Sequence, residues 1–353
     1  MIREVRKGEE LNLGSLKKFL LNKKLISDYQ SELKIQQFSN GFSNLTYLIE
    51  IESRELVVRL PPKGAIFGHD MSREFKVLSG LNKGFDKAPK AYFFSDDIEI
   101  IGAPFYVMEK IEGIILSIKE ASSRNIQPLE YKKIAQNWLD SFVELHDLDF
   151  KKIGLNDLGK PQGYVERQVK NWGKQYLKAA TEEIPEAKKV INWLEKNQPK
   201  KYTYSLIHND YKYDNVVFAD NSWSKINAIL DWEMSTLGDP LMDLGTSLAY
   251  WTIASDNKMI LSVMDYPTSN NGNPSRMELV DMYQYKRKIK INDLVFYYTY
   301  GLFKISVIVQ QIYYRYNKGF TNNEKFKNLN QMTKLLLKLG WQSIQRQKIE
   351  KLF

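Results

Sequence analysis

The segment His208-Asn209-Asp210-Tyr211-Lys212-Tyr213-Asp214-Asn215 sets an aspartate and an asparagine five residues apart on a stretch that reads as a tight loop. Moving a phosphoryl group onto a hydroxyl requires a carboxylate that orients the hydroxyl and accepts its proton, and oxygen ligands for Mg²⁺, which offsets the phosphate charge. Asp210 and Asn215 have the types and spacing for these two tasks. The apolar run Asn227 to Leu230 reads as a buried strand that delivers Asp231 at its end, where a carboxylate can chelate a phosphate-bridging metal with Asn215 as a second ligand. His208 reads as a brace for the loop. Asp239, just before Pro240, suits a helix start, and Asp243 suits bonding to loop amides.

H-x-D-x-x-x-x-N followed by Asp231-Trp232-Glu233-Met234-Ser235-Thr236-Leu237-Gly238-Asp239-Pro240 resembles the aminoglycoside-phosphotransferase and choline-kinase superfamily. More closely it resembles the branch found fused to, or encoded beside, acyl-CoA dehydrogenase-like enzymes. Val58-Arg59-Leu60-Pro61-Pro62, Phe105-Tyr106-Val107-Met108-Glu109 and Tyr164-Val165-Glu166-Arg167-Gln168 extend the likeness, which covers roughly Leu33 to Tyr250. The resemblance implies a protein-kinase-like bilobal α+β fold using ATP and Mg²⁺, with Asp210 as catalytic base and Asn215 and Asp231 on the metal. It implies that the hairpin from Asn40 to Thr46, with Asn40, Ser43 and Asn44, covers the phosphates, and that Met108, Glu109 and Ile111 form the hinge that meets adenine. Arg59 stands where protein kinases carry a strand lysine; its planar fork can take phosphate bidentately, with Glu74 as partner. The branch implies a hydroxy acid or hydroxyacyl-coenzyme A ester as acceptor and a functional link to an acyl-CoA dehydrogenase. An aminoglycoside or choline-like amino-alcohol acceptor, and a nucleotide-binding module without catalysis, stay open as alternatives.

Positioning these residues takes about five strands and a set of long helices. Leu11 to Leu25 has helical spacing; Leu33 to Phe38, Leu45 to Glu52, Glu55 to Leu60, Ala91 to Ser95 and Pro104 to Glu109 read as strands, with a helix from Ser72 to Leu81 capped by Ser72. Beyond Gly113 the pattern turns helical: Leu129 to His146, Tyr164 to Thr181, Pro185 to Asn197, Leu294 to Tyr316 and Asn322 to Ile349. The expectation is a small β-rich lobe over residues 1–112 that covers ATP and a helical lobe over 113–353 with the catalytic loop and acceptor site, nucleotide lying in the cleft between. Thr268 to Ser275 reads as an exposed loop.

The 353 residues are 43% hydrophobic and 26% charged, ordinary for a soluble globular chain. With no cysteine and three histidines, thiolate and histidine-rich metal sites are excluded; His69 and His146, lacking a carboxylate partner at ligand spacing, read as packing or surface residues. The charged N-terminus has no signal-peptide core, and Val295 to Tyr314, interrupted by Lys304, Gln310 and Gln311, reads as a buried helix rather than a membrane span. A cytoplasmic location is expected. The net charge of +9 fits either a solvated lysine-rich surface or an anionic small-molecule partner; no basic run carries a nucleic-acid motif. Lys170, Lys174 and Lys178 form a row on one helix face that is either solvated or a landing surface for coenzyme A phosphates. Trp172, Trp232 and Tyr250 read as core aromatics, with lining of the acceptor pocket as the alternative.

Overall fold

The computed structural model describes residues 2–38, 44–62, 70–321 and 323–352. The chain forms two compact units. The first gathers residues 1–113, 151–158 and 227–235; the second gathers 114–150, 159–226 and 236–353. Asp231 therefore belongs to the same unit as Arg59.

The first unit is built on an antiparallel sheet of six strands: β1 (Ile2–Arg3), β2 (Lys34–Phe38), β3 (Leu45–Ile51), β4 (Arg54–Leu60), β5 (Ala91–Ser95) and β6 (Phe105–Glu109), in the order β1-β2-β3-β4-β6-β5. The two-residue β1, exposed and flanked by charges, carries no alternation for sequence reasoning to find. Side chains alternate across a strand. Tyr47, Ile49, Val58, Leu60, Phe105 and Val107 thus share one face, where they pack with Leu16 and Leu20 of α1 (Leu13–Asn22). Arg59 points to the opposite face, towards α2 (Met71–Leu81), whose Phe75 ring lies 6.4 Å from that of Tyr106. Cover on both faces explains why β3 and β4 read as nearly continuous apolar runs.

Asp70, not Ser72, caps α2: its carboxylate accepts from the Arg73 amide at 3.0 Å and from the Ser72 hydroxyl at 2.7 Å. A charged acceptor gains more from a helix N-terminus than a hydroxyl does. α2 also ties in the two outlying segments. The Arg73 guanidinium donates to the carbonyls of Ser235 (2.6 Å) and Leu158 (2.9 Å). A short helix, α3 (Ile98–Ile101), completes this unit.

The second unit is helical: α4 (Ile118–Arg124), α5 (Pro128–Asp147), α6 (Tyr164–Ala179), α7 (Pro185–Lys196), α8 (Pro240–Tyr250), α9 (Lys258–Val263), α10 (Arg276–Arg287), α11 (Leu294–Asn317) and α12 (Leu329–Arg346). The last starts later than periodicity predicts, because a separate 3₁₀ turn, Glu324–Phe326, precedes it. Every residue of α11 from Phe296 to Val307 is buried, and no described helix is long and apolar enough to cross a membrane. The segment 268–275 is only partly exposed: Thr268 is buried and its hydroxyl bonds that of Thr252. An antiparallel pair, Ser205–Ile207 with Thr236–Gly238, ends at His208 on one strand and leads into Asp239 on the other, so it launches both the candidate loop and α8.

Candidate active site

The loop after Ser205–Ile207 is held by buried polar groups before it reaches Asp210. Asp243, in the first turn of α8, accepts from the amides of His208 (2.6 Å) and Asn209 (2.8 Å). Its pKa is lowered: burial alone would raise it, but His146 and His208 outweigh burial. Asn209 adopts a left-handed backbone with φ 68°, a conformation asparagine tolerates better than most side chains. His208 is fully buried, and its Nδ1 accepts from the Asp210 amide at 3.2 Å, which makes it a brace. His146 is not without a carboxylate: its Nε2 lies 3.3 Å from Asp243 Oδ2 and its Nδ1 2.8 Å from the Tyr283 hydroxyl. Ninety-seven residues separate His146 from Asp243, so local spacing could not reveal the pair. Burial depresses the His146 pKa.

Asp210 Oδ2 accepts from Lys212 Nζ at 2.9 Å and from Asn215 Nδ2 at 3.0 Å; the same Asn215 amide reaches the Asp210 carbonyl at 2.9 Å. The asparagine nitrogen is thus committed to the loop, and its oxygen is the atom with metal-binding chemistry. Lys212 is a site residue that sequence reasoning passed over, although its place two residues after Asp210 was a usable signal. Its ammonium lies 4.7 Å from the Tyr250 ring centroid. Lys212, Asp214, Tyr213, Tyr250, Trp251 and Tyr266 border a pocket beside Asp210. Burial pushes the Asp214 carboxyl up, against the pull of Lys212. Trp172 and Trp232 are buried and do not border it; the Trp232 indole donates to the Ile229 carbonyl at 2.8 Å. Asp239 caps α8 by accepting from the Leu241 amide at 2.9 Å and also accepts from the Tyr297 hydroxyl at 2.9 Å. Burial raises its pKa to about 6.

In the first unit, Arg59 gathers three carboxylates. Its Nη1 lies 2.8 Å from Glu74 Oε1, and its Nη2 lies 2.7 Å from Asp231 Oδ1 and 3.3 Å from Glu233 Oε2. Glu74 is 2% exposed, far from a solvated surface residue. Burial raises its pKa despite Arg59. Asn44 Nδ2 donates to Glu233 Oε2 at 2.8 Å. Asp231 has φ 67°, which turns the chain sharply out of Ile226–Ile229, and its side chain keeps 34% exposure. The carboxylate oxygens gathered here are hard donors of the kind a divalent ion takes. Among the described residues, no group of three His, Cys, Asp or Glu is arranged as a metal cage. Mg²⁺ in nucleotide sites takes one or two protein oxygens and fills the rest of its shell with phosphate and water, so the Asp231 and Asn215 oxygens fit its donor chemistry. Met108 and Glu109 end β6, and Ile111 follows. The Glu109 amide already donates to the Lys90 carbonyl at 2.8 Å. Asn40, Ser43 and His69 lie outside the described residues.

The family model described as "Phosphotransferase enzyme family" matches residues 34–279, which include both the Arg59 cluster and the Asp210 loop. The chain belongs to this phosphotransferase family. Mouse acyl-CoA dehydrogenase family member 10 is 31% identical over 96% of this phosphotransferase, and rat acyl-CoA dehydrogenase family member 11 is 34% identical over 84%. The chain spans 32% and 38% of the length of these relatives. A solved structure from Ralstonia eutropha, provisionally described as an aminoglycoside phosphotransferase, superposes with a TM-score of 0.79 at 26% identity, covering 96% of this chain and 99% of that one. Choline kinase from Cryptosporidium parvum shares the kinase-like fold at TM-score 0.60 and 13% identity, covering 95% of this chain and 99% of that one.

Proposed function

We propose that this phosphotransferase moves the γ-phosphoryl group of ATP onto a hydroxyl of a small molecule. The observation that carries the reading is the Asp210 carboxylate, with Lys212 and Asn215 within hydrogen-bond reach on an H-x-D-x-x-x-x-N loop. Asp210 orients the acceptor hydroxyl and takes its proton as the acceptor oxygen bonds to the γ-phosphorus and the bond to the bridging oxygen of ADP breaks. Lys212 keeps a positive charge beside the carboxylate. Asn215 and Asp231 hold Mg²⁺, which when bound neutralises phosphate charge. Arg59, anchored by Glu74, orients Asp231. A non-catalytic module would have no need to retain all three of Asp210, Asn215 and Asp231 in its sequence.

For the acceptor, we infer a hydroxy acid or its coenzyme A ester. This is supported by relatives that carry the acyl-CoA dehydrogenase name and by the basic charge of the chain. A functional link to such a dehydrogenase is part of this proposal. One observation favours an amino-alcohol instead: Asp214 sits in a pocket rimmed by Tyr213, Tyr250 and Tyr266, a setting that accommodates a cation, as the Lys212 ammonium 4.7 Å from the Tyr250 ring centroid shows. Asp210→Asn tests the shared core of both readings. It should reduce kcat by about 10²–10⁴-fold and leave Mg·ATP affinity within a few-fold, measured by ADP release and calorimetry. Wild-type turnover in that variant would remove Asp210 from the mechanism.

A further inference from the structure

From Val295 to Tyr314, Lys304 is the one charged side chain, and it lies in the middle of α11 with 1% exposure. An ammonium in such a place is costly unless fixed partners replace its water. Both of its hydrogen-bond acceptors belong to Asn209 on the candidate loop. Nζ donates to the Asn209 carbonyl at 2.5 Å and approaches Asn209 Oδ1 at 3.3 Å. The Trp172 ring centroid lies 6.0 Å away. The peptide joining Asn209 to Asp210 is thereby held at both ends: its carbonyl by Lys304, its N–H by His208 Nδ1. Asp243 holds the preceding two amides, and the Tyr164 hydroxyl lies 3.3 Å from Asn209 Nδ2.

We propose that Lys304 is a positioning residue for phosphoryl transfer: its grip on the Asn209 carbonyl fixes the peptide plane from which the Asp210 carboxylate projects. The inference rests on the reading of Asp210 as proton acceptor. Without Lys304 that peptide can rotate about the left-handed Asn209, and the carboxylate swings with it, whereas the Arg59 cluster is untouched. The charged groups around the ammonium are Asp243 and Asp210, which favour its protonation, and Lys212, which opposes it; burial is the largest influence and brings the pKa down to about 8. The ammonium therefore predominates at neutral pH and is lost as pH climbs through about 8. Stability changes the other way. A lysine whose folded pKa lies below its unfolded value releases its proton first in the folded state, so this group's contribution to stability rises between about pH 8 and the ordinary lysine pKa. A rate that falls while stability rises separates positioning from a merely structural contact.

The probe is slow hydrolysis of Mg·ATP with water as acceptor, followed across neutral and alkaline pH in wild type, Lys304→Met and Asp210→Asn. In Lys304→Met, kcat should fall about 10–100-fold, the loss expected from a misplaced catalytic group, with KM for ATP nearly unchanged. Wild-type kcat should decline through about pH 8, and that limb should be absent from the variant. Lys212, whose pKa is held well above the ordinary lysine value, cannot supply the limb. If Lys304→Met keeps wild-type kcat, or wild-type kcat is level through this range, the positioning role is overturned. Should Lys304→Met not fold, Lys304→Gln takes its place: a kcat and an alkaline limb both equal to wild type overturn the positioning role. If Asp210→Asn hydrolyses ATP like wild type, the proton-acceptor reading fails and this inference fails with it. If only Asp210→Asn is impaired, this inference alone fails.

Discussion

Arg59 commits both arms of its guanidinium to carboxylates, Nη1 to Glu74 and Nη2 to Asp231 and Glu233. A lysine keeps the charge but offers one nitrogen, which cannot sit at both positions of the fork. Arg59→Lys should therefore loosen Asp231 by at least one charge-assisted hydrogen bond, worth about 1.5–3 kcal/mol, and raise KM for Mg·ATP about 10–100-fold. Initial rates against ATP measure this; an unchanged KM would show that a point charge is enough. Side chains close in sequence were the legible ones. Asp210 and Asn215 share a short motif, and Asp231 ends a visible apolar run. Glu74 was found because the kinase-like resemblance calls for a helix glutamate to pair with the strand cation. Lys304 was not found, since its partner Asn209 lies 95 residues away and a lysine in an apolar helix signals only that the helix does not span a membrane. His146 escaped for the same reason.

Helix periodicity located α1, α2, α5, α6, α7 and α11 to within a few residues, because each buries one stripe or one face, and passed over α3, α4, α9 and α10. It could not show how closely two helices approach. α8 and α11 meet at Gly245 and Gly301. A Cβ on Gly301 would stand 2.2 Å from the Gly245 carbonyl oxygen, and one on Gly245 would stand 2.1 Å from the Tyr297 carbonyl oxygen. These neighbours are backbone, which cannot yield as a flexible side-chain end would. The crossing has a consequence for the candidate loop: α8 supplies Asp243 and α11 supplies Lys304, and both grip Asn209. Gly301→Ala should thus separate the helices and strain both grips. We expect a stability loss of at least about 1–3 kcal/mol, seen as a lower thermal midpoint, together with a fall in kcat in the fraction that remains folded. A variant with the wild-type midpoint would show that the crossing can absorb a methyl group.

At the scale of the whole molecule, two charge features compete over the acceptor. The chain carries +9, and Lys170, Lys174 and Lys178 on α6 are all exposed. The pocket beside Asp210, by contrast, contains the carboxylate of Asp214, and its neighbouring cation Lys212 is already paired with Asp210. A small free acid entering that pocket would meet the Asp214 carboxylate without an unpaired cation among its bordering side chains. A coenzyme A ester avoids the conflict: its neutral hydroxyacyl end can face the pocket while its phosphates meet surface lysines. An amino-alcohol would use Asp214 directly and ignore the lysines. ADP release measured over hydroxyacyl-coenzyme A esters, free hydroxy acids, choline-like alcohols and aminoglycosides separates these cases. We expect the esters to stimulate turnover most, free acids less, and the cationic panel least. Stimulation by the esters should weaken as salt rises, because the Debye length shrinks from about 10 Å at 0.1 M to about 3 Å at 1 M and screens the exposed lysines first. Lys170→Glu with Lys174→Glu should raise KM for the ester and leave KM for ATP unchanged. Turnover with choline or aminoglycosides alone would assign the pocket to a cation through Asp214 and overturn the ester reading, while leaving the phosphotransferase assignment in place.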